Sequence, residues 1–222
     1  MYDRPMCGRY THTLSWQQIH DLYRLTAPKV PLNLQERYNV CPTQEMPVVV
    51  EGRELKRMKW GLIPYWSKDG GKPYTTINAR AESVKTKPAF REPFKRRRCL
   101  VPASGFYEWR QEDGVKQPYY ITLKDGPMTF AGLLDTWKGP EGPVETYTIV
   151  TTTANEALKE LHERMPVILP EKQWESWLDH ATSPDEAEKM LQPYPAEAVT
   201  FHKVERAVGN VRNDYADLIN PA

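Results

Sequence analysis

The chain has 222 residues, 40% hydrophobic and 27% charged, with 30 Lys and Arg against 29 Asp and Glu for a formal net charge of +1. That is the composition of a soluble globular protein with room for a sizeable core, and it excludes a polycation that binds nucleic acid by bulk charge alone. No apolar run approaches the roughly 20 residues that span a bilayer, and no apolar h-region marks a secretory signal, so cytoplasmic residence is the natural expectation.

In chain order, Ser15 followed by Trp16, Ile19, Leu22 and Tyr23 predicts an N-capped amphipathic helix. Strands are predicted at 46–50, 105–110, 117–123, 128–137 and 144–153. Turns such as Glu112-Asp113-Gly114 and Lys124-Asp125-Gly126 separate them, which is the grammar of an antiparallel meander. The stretch 76–82 reads as a strand that places Asn78, Arg80 and Glu82 on one face. Residues 154–162 read as a short helix feeding into Arg164 and Pro166. Residues 183–191 carry a serine cap, a first-turn proline and following acids, so they predict a helix. Twenty prolines are scattered, with no repeat and no linker, so residues 6–222 are expected to form a single domain. The expected fold is α+β: a curved, mainly antiparallel sheet or barrel-like core with peripheral helices.

Charge is unevenly placed. Residues 84–99 hold Lys85, Lys87, Arg91, Lys95, Arg96, Arg97 and Arg98 against Glu92 alone, whereas 171–197 holds seven acids and two bases. The asymmetry reads either as a phosphate-facing side opposite a solvated side or as a basic surface loop.

Three cysteines, Cys7, Cys41 and Cys99, contain no C-x-x-C pair, which points away from a disulfide framework and from a structural zinc site. His12, His20, His180 and His202 show no metal-ligand spacing and read as structural or surface residues, so neither metal nor cofactor is expected. Cys7 is different because it directly follows Met6. As a leading residue it would hold a thiol of pKa about 8.5 and an α-amine of pKa about 7.7–8.0, two nucleophiles that need no special tuning. An amine condenses with an aldehyde to a Schiff base, and a thiol one carbon away can close that imine into a thiazolidine.

Glu108, among Phe106, Tyr107 and Trp109, is a candidate for a raised pKa and general acid/base work, with the polar edge of a strand as the bland alternative. His162, beside the cationic Arg164, is either a helix-end cap or a proton carrier. Trp60, Tyr65 and Trp66 offer either core or a stacking surface of the kind that binds single-stranded nucleic acid, where each stacked base is worth about 1–3 kcal/mol.

The blocks MCGRYT (6–11), RYNVCPTQ (37–44), KWGLIPYW (59–66), INARAES (77–83), RRCLVPASGFYEW (97–109), LHERMPVIL (161–169) and AVGNVRN (207–213) occur in this order. Together they resemble the SOS-response-associated peptidase (SRAP) family. The resemblance implies a protein that binds single-stranded DNA and cross-links itself to abasic sites through Cys7, without a cofactor, membrane or obligate protein partner. It also implies association with the nucleoid when DNA is damaged. On its terms Asn78, Glu108 and His162 join Cys7 in catalysis. Arg9, Arg80 and Arg164 hold phosphates, Asn39 and Trp66 line the bend of the DNA, and Trp109 and Thr151 complete the DNA-facing set.

Family members begin Met-Cys-Gly, whereas this chain places Met1 to Pro5 ahead of that pattern. Met6 as the true start, a propeptide cut at Met6–Cys7, and an added segment are the three readings. Two other functions compete: a class II glutamine amidotransferase, which also opens Met-Cys-Gly, and a non-catalytic DNA-binding module.

Overall fold

A computed structural model describes residues 8–26, 33–71 and 76–222. In chain order the elements are β1 (Tyr10–His12), α1 (Trp16–Tyr23), β2 (Arg37–Val40), β3 (Glu45–Val50), β4 (Glu54–Trp60), β5 (Asn78–Arg80), α2 (Arg91–Arg96) and β6 (Arg98–Ala103). They continue with β7 (Gly105–Glu112), β8 (Val115–Leu123), β9 (Met128–Gly139), β10 (Gly142–Thr153), β11 (Arg164–Pro166), α3 (Glu171–Leu178), α4 (Pro184–Lys189) and β12 (Val199–Lys203).

The strands form two sheets. One runs β12-β8-β7-β1-β2. The other runs β11-β10-β4-β3-β6-β9, and pairing of β9 with β10 closes its five central strands on themselves, which leaves no edge in that ring. The expected α+β class with a barrel-like core and few helices is what the chain adopts. Pairing is mainly antiparallel, but not throughout. β10 runs parallel to β4 at Thr146–Tyr147 and parallel to β5 at Ile149–Thr151, so the chain is more than a meander.

Between the sheets, the strands' inward residues bury Tyr10, Val40, Met58, Trp60, Phe106, Phe130 and Tyr147. The Tyr10 and Tyr147 hydroxyls meet at 2.7 Å, which links β1 of one sheet to β10 of the other. Gly105 permits the approach of β8 to β7, since a Cβ there would sit 2.6 Å from the Tyr120 hydroxyl. That hydroxyl bonds Thr11 Oγ1 at 2.8 Å, so three strands are locked together just before Glu108.

The N-capped helix is α1: Ser15 Oγ accepts from Gln18 N–H, and Gln18 Oε1 accepts from Ser15 N–H, a reciprocal cap. Ser183 and Glu186 repeat the device at α4. The helix expected at 154–162 is a run of turns. Bonds to Asn155 O from Lys159 N and to Leu158 O from His162 N are not continued by a ladder, and Asn155 Oδ1 takes the Leu158 N–H. Asn155 thereby caps the first of these turns, and its amide donates to Tyr194 O at 2.7 Å. The strand expected over 76–82 is confined to Asn78–Arg80, and a 3-10 turn at Ala81–Ser83 takes Glu82 off the face shared by Asn78 and Arg80.

The basic and acidic stretches face each other. Lys85 reaches Asp185 at 2.7 Å and Glu188 at 3.0 Å on α4. Arg98 is fully buried and donates to the carbonyls of Phe94 and Lys95 in the last turn of α2, and to those of Trp177, Asp179 and Thr182 at and beyond the end of α3. Carbonyls at helix C-termini lack helical partners and favour a cation. Within this segment Arg98 is thus committed to the fold and Lys85 to ion pairs with α4, whereas Lys87, Arg91, Lys95 and Arg96 are exposed.

Candidate functional site

β1 places Arg9 immediately before its first residue, and Tyr107 N–H donates to Arg9 O at 3.0 Å. The pairing Tyr10↔Phe106 fixes β7 against β1, two residues before Glu108. The result is a cavity of about 640 Å³ whose walls include Gly8, Arg9, Thr43, Glu108, Trp109 and Val211. Cys7 lies outside the described residues; Gly8, covalently bonded to it, lines the cavity.

Glu108 is 8% exposed, and its Oε1 accepts the Trp109 N–H at 3.1 Å. The Arg9 guanidinium sits 6.0 Å from the centre of the Trp109 ring, within range of a cation–π contact. One of its nitrogens donates to Asn39 Oδ1 at 2.8 Å and Val208 O at 2.7 Å, and the other to Gly209 O at 3.3 Å. Asn39 itself is buried. Its amide donates to the carbonyls of Val208, Asn210 and Asn213, and Asp214 accepts the N–H groups of Tyr38 and Asn39 and pairs with Arg37. Asn39 thus ties the C-terminal segment to β2 and orients Arg9.

A second group lies across β5, β10 and β11. Register places Arg80 opposite Thr151 and Arg164 opposite Thr153. Arg164 is 9% exposed; it grips both Glu82 oxygens at 2.8 and 2.9 Å and donates to Thr151 O at 2.8 Å. That fork of hydrogen bonds holds the Glu82 carboxyl below its usual range. His162 Nδ1 accepts the Arg164 N–H at 3.1 Å, so in the neutral ring Nε2 carries the proton. β5 connects the two groups: Ile77, directly before it, lines the cavity, and its carbonyl accepts from Trp60 Nε1 and Ile149 N. Asn78 follows, half-buried.

The aromatic platform divides. Trp60 is core, whereas Trp66 is 54% and Tyr65 55% exposed in the segment between β4 and β5. Asp135 accepts the Tyr65 N–H at 3.0 Å, Trp137 donates to Ser67 O at 2.7 Å, and Arg97 lies 5.7 Å from the Tyr65 ring centre. The structure therefore brings Arg9, Glu108 and Trp109 into one cavity and Arg80, Thr151, His162 and Arg164 into a neighbouring cluster, and it sets Trp66 on a separate loop. Thr43, Lys116 and Val211 also line the cavity and had no separate signal in the sequence. His12 is buried, the structural of the two readings. Burial, with Arg57 and Arg37 nearby, pushes its pKa down to about 4. Among the described residues no three His, Cys, Asp or Glu side chains cluster as metal ligands, and no helix is long and apolar enough to cross a membrane.

Residues 6–211 match the family described as SOS response associated peptidase (SRAP). The chain belongs to the SRAP family. Among its relatives, the abasic site processing protein YoaM of Bacillus subtilis is 39% identical, over 97% of this chain and 98% of that one. The abasic site processing protein HMCES of Gallus gallus is 35% identical, over 83% of this chain and 66% of that one. A crystal structure of a protein from Bacteroides thetaiotaomicron superposes with a TM-score of 0.89 at 29% identity, covering 97% of this chain and all of that one. The SRAP fold thus extends over the same two sheets and the cavity between Gly8 and Val211.

Proposed function

We propose that the protein processes abasic sites by covalent capture on single-stranded DNA, with Cys7 as the attacking residue. The opened sugar of an abasic site carries an aldehyde. The α-amine of a leading Cys7 adds to that carbon, water departs, and an imine forms. The thiol then adds to the imine carbon, its proton passes to nitrogen, and a thiazolidine closes.

Glu108 is the group placed to take a proton from the attacking amine and return it to the departing hydroxyl. His162, with its proton on Nε2, serves as a donor to the opened sugar, and Asn78 holds the amine or sugar in place. Arg9, Arg80 and Arg164 face phosphates, the last in exchange with Glu82. Trp66 and Trp109 stack bases, which an intact duplex would not expose. The imine stage also opens a route to strand cleavage by β-elimination. The scheme requires residues 1–6 to be absent, and hydrolysis of Met6–Cys7 by Cys7, Glu108 and His162 is one means of removing them.

One observation carries the reading. A buried carboxyl, an arginine and a tryptophan line a single cavity at the point where the chain arrives from Cys7. Relatives named for abasic site processing support the substrate. The test mixes purified protein of verified N-terminus with oligonucleotides that are intact or carry one abasic site, and separates them under denaturing conditions. An adduct confined to the abasic strand and lost in Cys7→Ala is expected. Release of ammonia from glutamine with no adduct would replace the reading by amide hydrolysis.

A further inference from the structure

The turn between β2 and β3 holds a residue that the fold does not call for. Cys41-Pro42-Thr43-Gln44 closes with Gln44 N–H donating to Cys41 O at 3.3 Å. Thr43 has a φ of 71°. Proline at the second corner and positive φ at the third are the marks of a type II turn, whose third corner ordinarily takes glycine or asparagine. For a β-branched residue the left-handed region is a steric outlier. The other non-glycine residues with positive φ among those described are Arg24, Arg53 and Asp113, none of them β-branched.

Strain of this kind persists only where neighbours impose it, and it gathers at ligand clamps. Here Thr43 N–H donates to Trp60 O at 2.8 Å and Trp60 N–H donates to Gln44 O at 2.9 Å. Gln44 Oε1 accepts from Cys41 N at 3.0 Å and from Arg37 at 2.9 Å. These bonds use only backbone atoms of residue 43, so glycine would satisfy every one of them without strain. What threonine adds is a side chain. It lies in the wall of the cavity with Arg9, Glu108 and Trp109, and its hydroxyl has no hydrogen-bond partner among the described residues.

We propose that Thr43 contacts the substrate, donating its hydroxyl to a sugar or phosphate oxygen of the DNA strand at the lesion. The inference rests on the DNA-binding reading above. Threonine hydroxyls are common donors to backbone oxygens, and they fix a strand's position without reading its sequence. The turn holds Thr43 in the same cavity wall as Arg9, on β1's lead-in, and Trp109 on β7. Thr43 is a binding residue in this account, and the covalent step stays with Cys7.

The test compares Thr43→Gly, Thr43→Val and Thr43→Ser with wild type. It measures the melting temperature and the non-covalent affinity for a single strand carrying a reduced abasic site, which has no aldehyde. Thr43→Gly is expected to melt higher than wild type, because the positive φ costs glycine little, and yet to bind about three- to tenfold more weakly, the range of one lost neutral hydrogen bond. Thr43→Val keeps the β-branch and the melting temperature and loses a similar factor, whereas Thr43→Ser binds as wild type does. If Thr43→Gly is less stable, threonine is kept for folding and the proposal fails. If Thr43→Gly and Thr43→Val bind as wild type does, the hydroxyl makes no contact and the proposal fails. If wild type itself binds no strand, the DNA reading falls first, a result recognisable before any variant is made.

Discussion

The basic segment 84–99 and the cavity at Arg9 and Glu108 make an instructive pair. The first concentrates positive charge, and its most buried cation, Arg98, is wholly occupied with the carbonyls of two helix ends. Lys85 is likewise held by two acids of α4. The second has little charge, yet it sets one arginine over a tryptophan beside a buried carboxyl. Charge density in a sequence therefore records where a fold needs capping as readily as where a ligand sits. Arg9 is also bonded, to Asn39 and the carbonyls of Val208 and Gly209, so the two cations differ in what stands beside them, helix ends in one case and a cavity in the other.

Substitutions on the two sides should separate stability from chemistry. The largest effect is expected at Glu108. Glu108→Gln should slow adduct formation by roughly 10²–10⁴-fold, the span of general acid/base catalysis, while non-covalent binding of a reduced abasic strand stays near wild type. Equal losses in rate and binding would assign Glu108 to the architecture instead. Arg98→Ala should lower unfolding free energy by about 3–5 kcal/mol, because it strands buried carbonyls, and denaturant titration reads this directly. DNA affinity of the fraction still folded should be unchanged.

Acid should reveal His12 at a similar size. Its folded pKa of about 4 lies below the unfolded 6.5, so the unfolded chain binds the extra proton. This contribution to stability is complete above about pH 6.5 and declines as pH falls toward 4, by about 3 kcal/mol in all. A His12→Phe variant that still folds should show a flatter stability profile across that window. Arg9→Ala should weaken single-strand binding by about tenfold and reduce the salt slope by about one charge. Lys85→Ala should be nearly silent, at about 0–1 kcal/mol in stability with no change in binding, since its ion pairs are exposed.

Much of the fold was legible because its signals are local. The aromatic-rich strands at 105–110 and 117–123 with the turn residues between them, and the Ser15 and Ser183 caps, need no distant partner to be recognised. What was not legible depends on contacts distant in sequence. The Asn155 amide is tied to Tyr194 O, and the turn at 81–83 sends Glu82 to Arg164. Ring closure by β9 and β10 follows from pairing, not from composition. Within the site, Glu108 stood out by its aromatic neighbours and Arg9 through the family resemblance, and Thr43 did not, because the sequence does not carry its φ. Asn39 shows the converse. A residue matched to a DNA-lining role is buried and acts, in this fold, on Arg9 and the 208–213 carbonyls.

The most direct measurement is intact-mass spectrometry of protein beginning at Cys7 after incubation with a single-stranded oligonucleotide bearing one abasic site. The account predicts a species equal to protein plus oligonucleotide less one water, stable without borohydride and absent when the strand is undamaged or the protein retains Met1. Unmodified protein and unmodified strand, recovered side by side from a sample with that N-terminus verified, would contradict it.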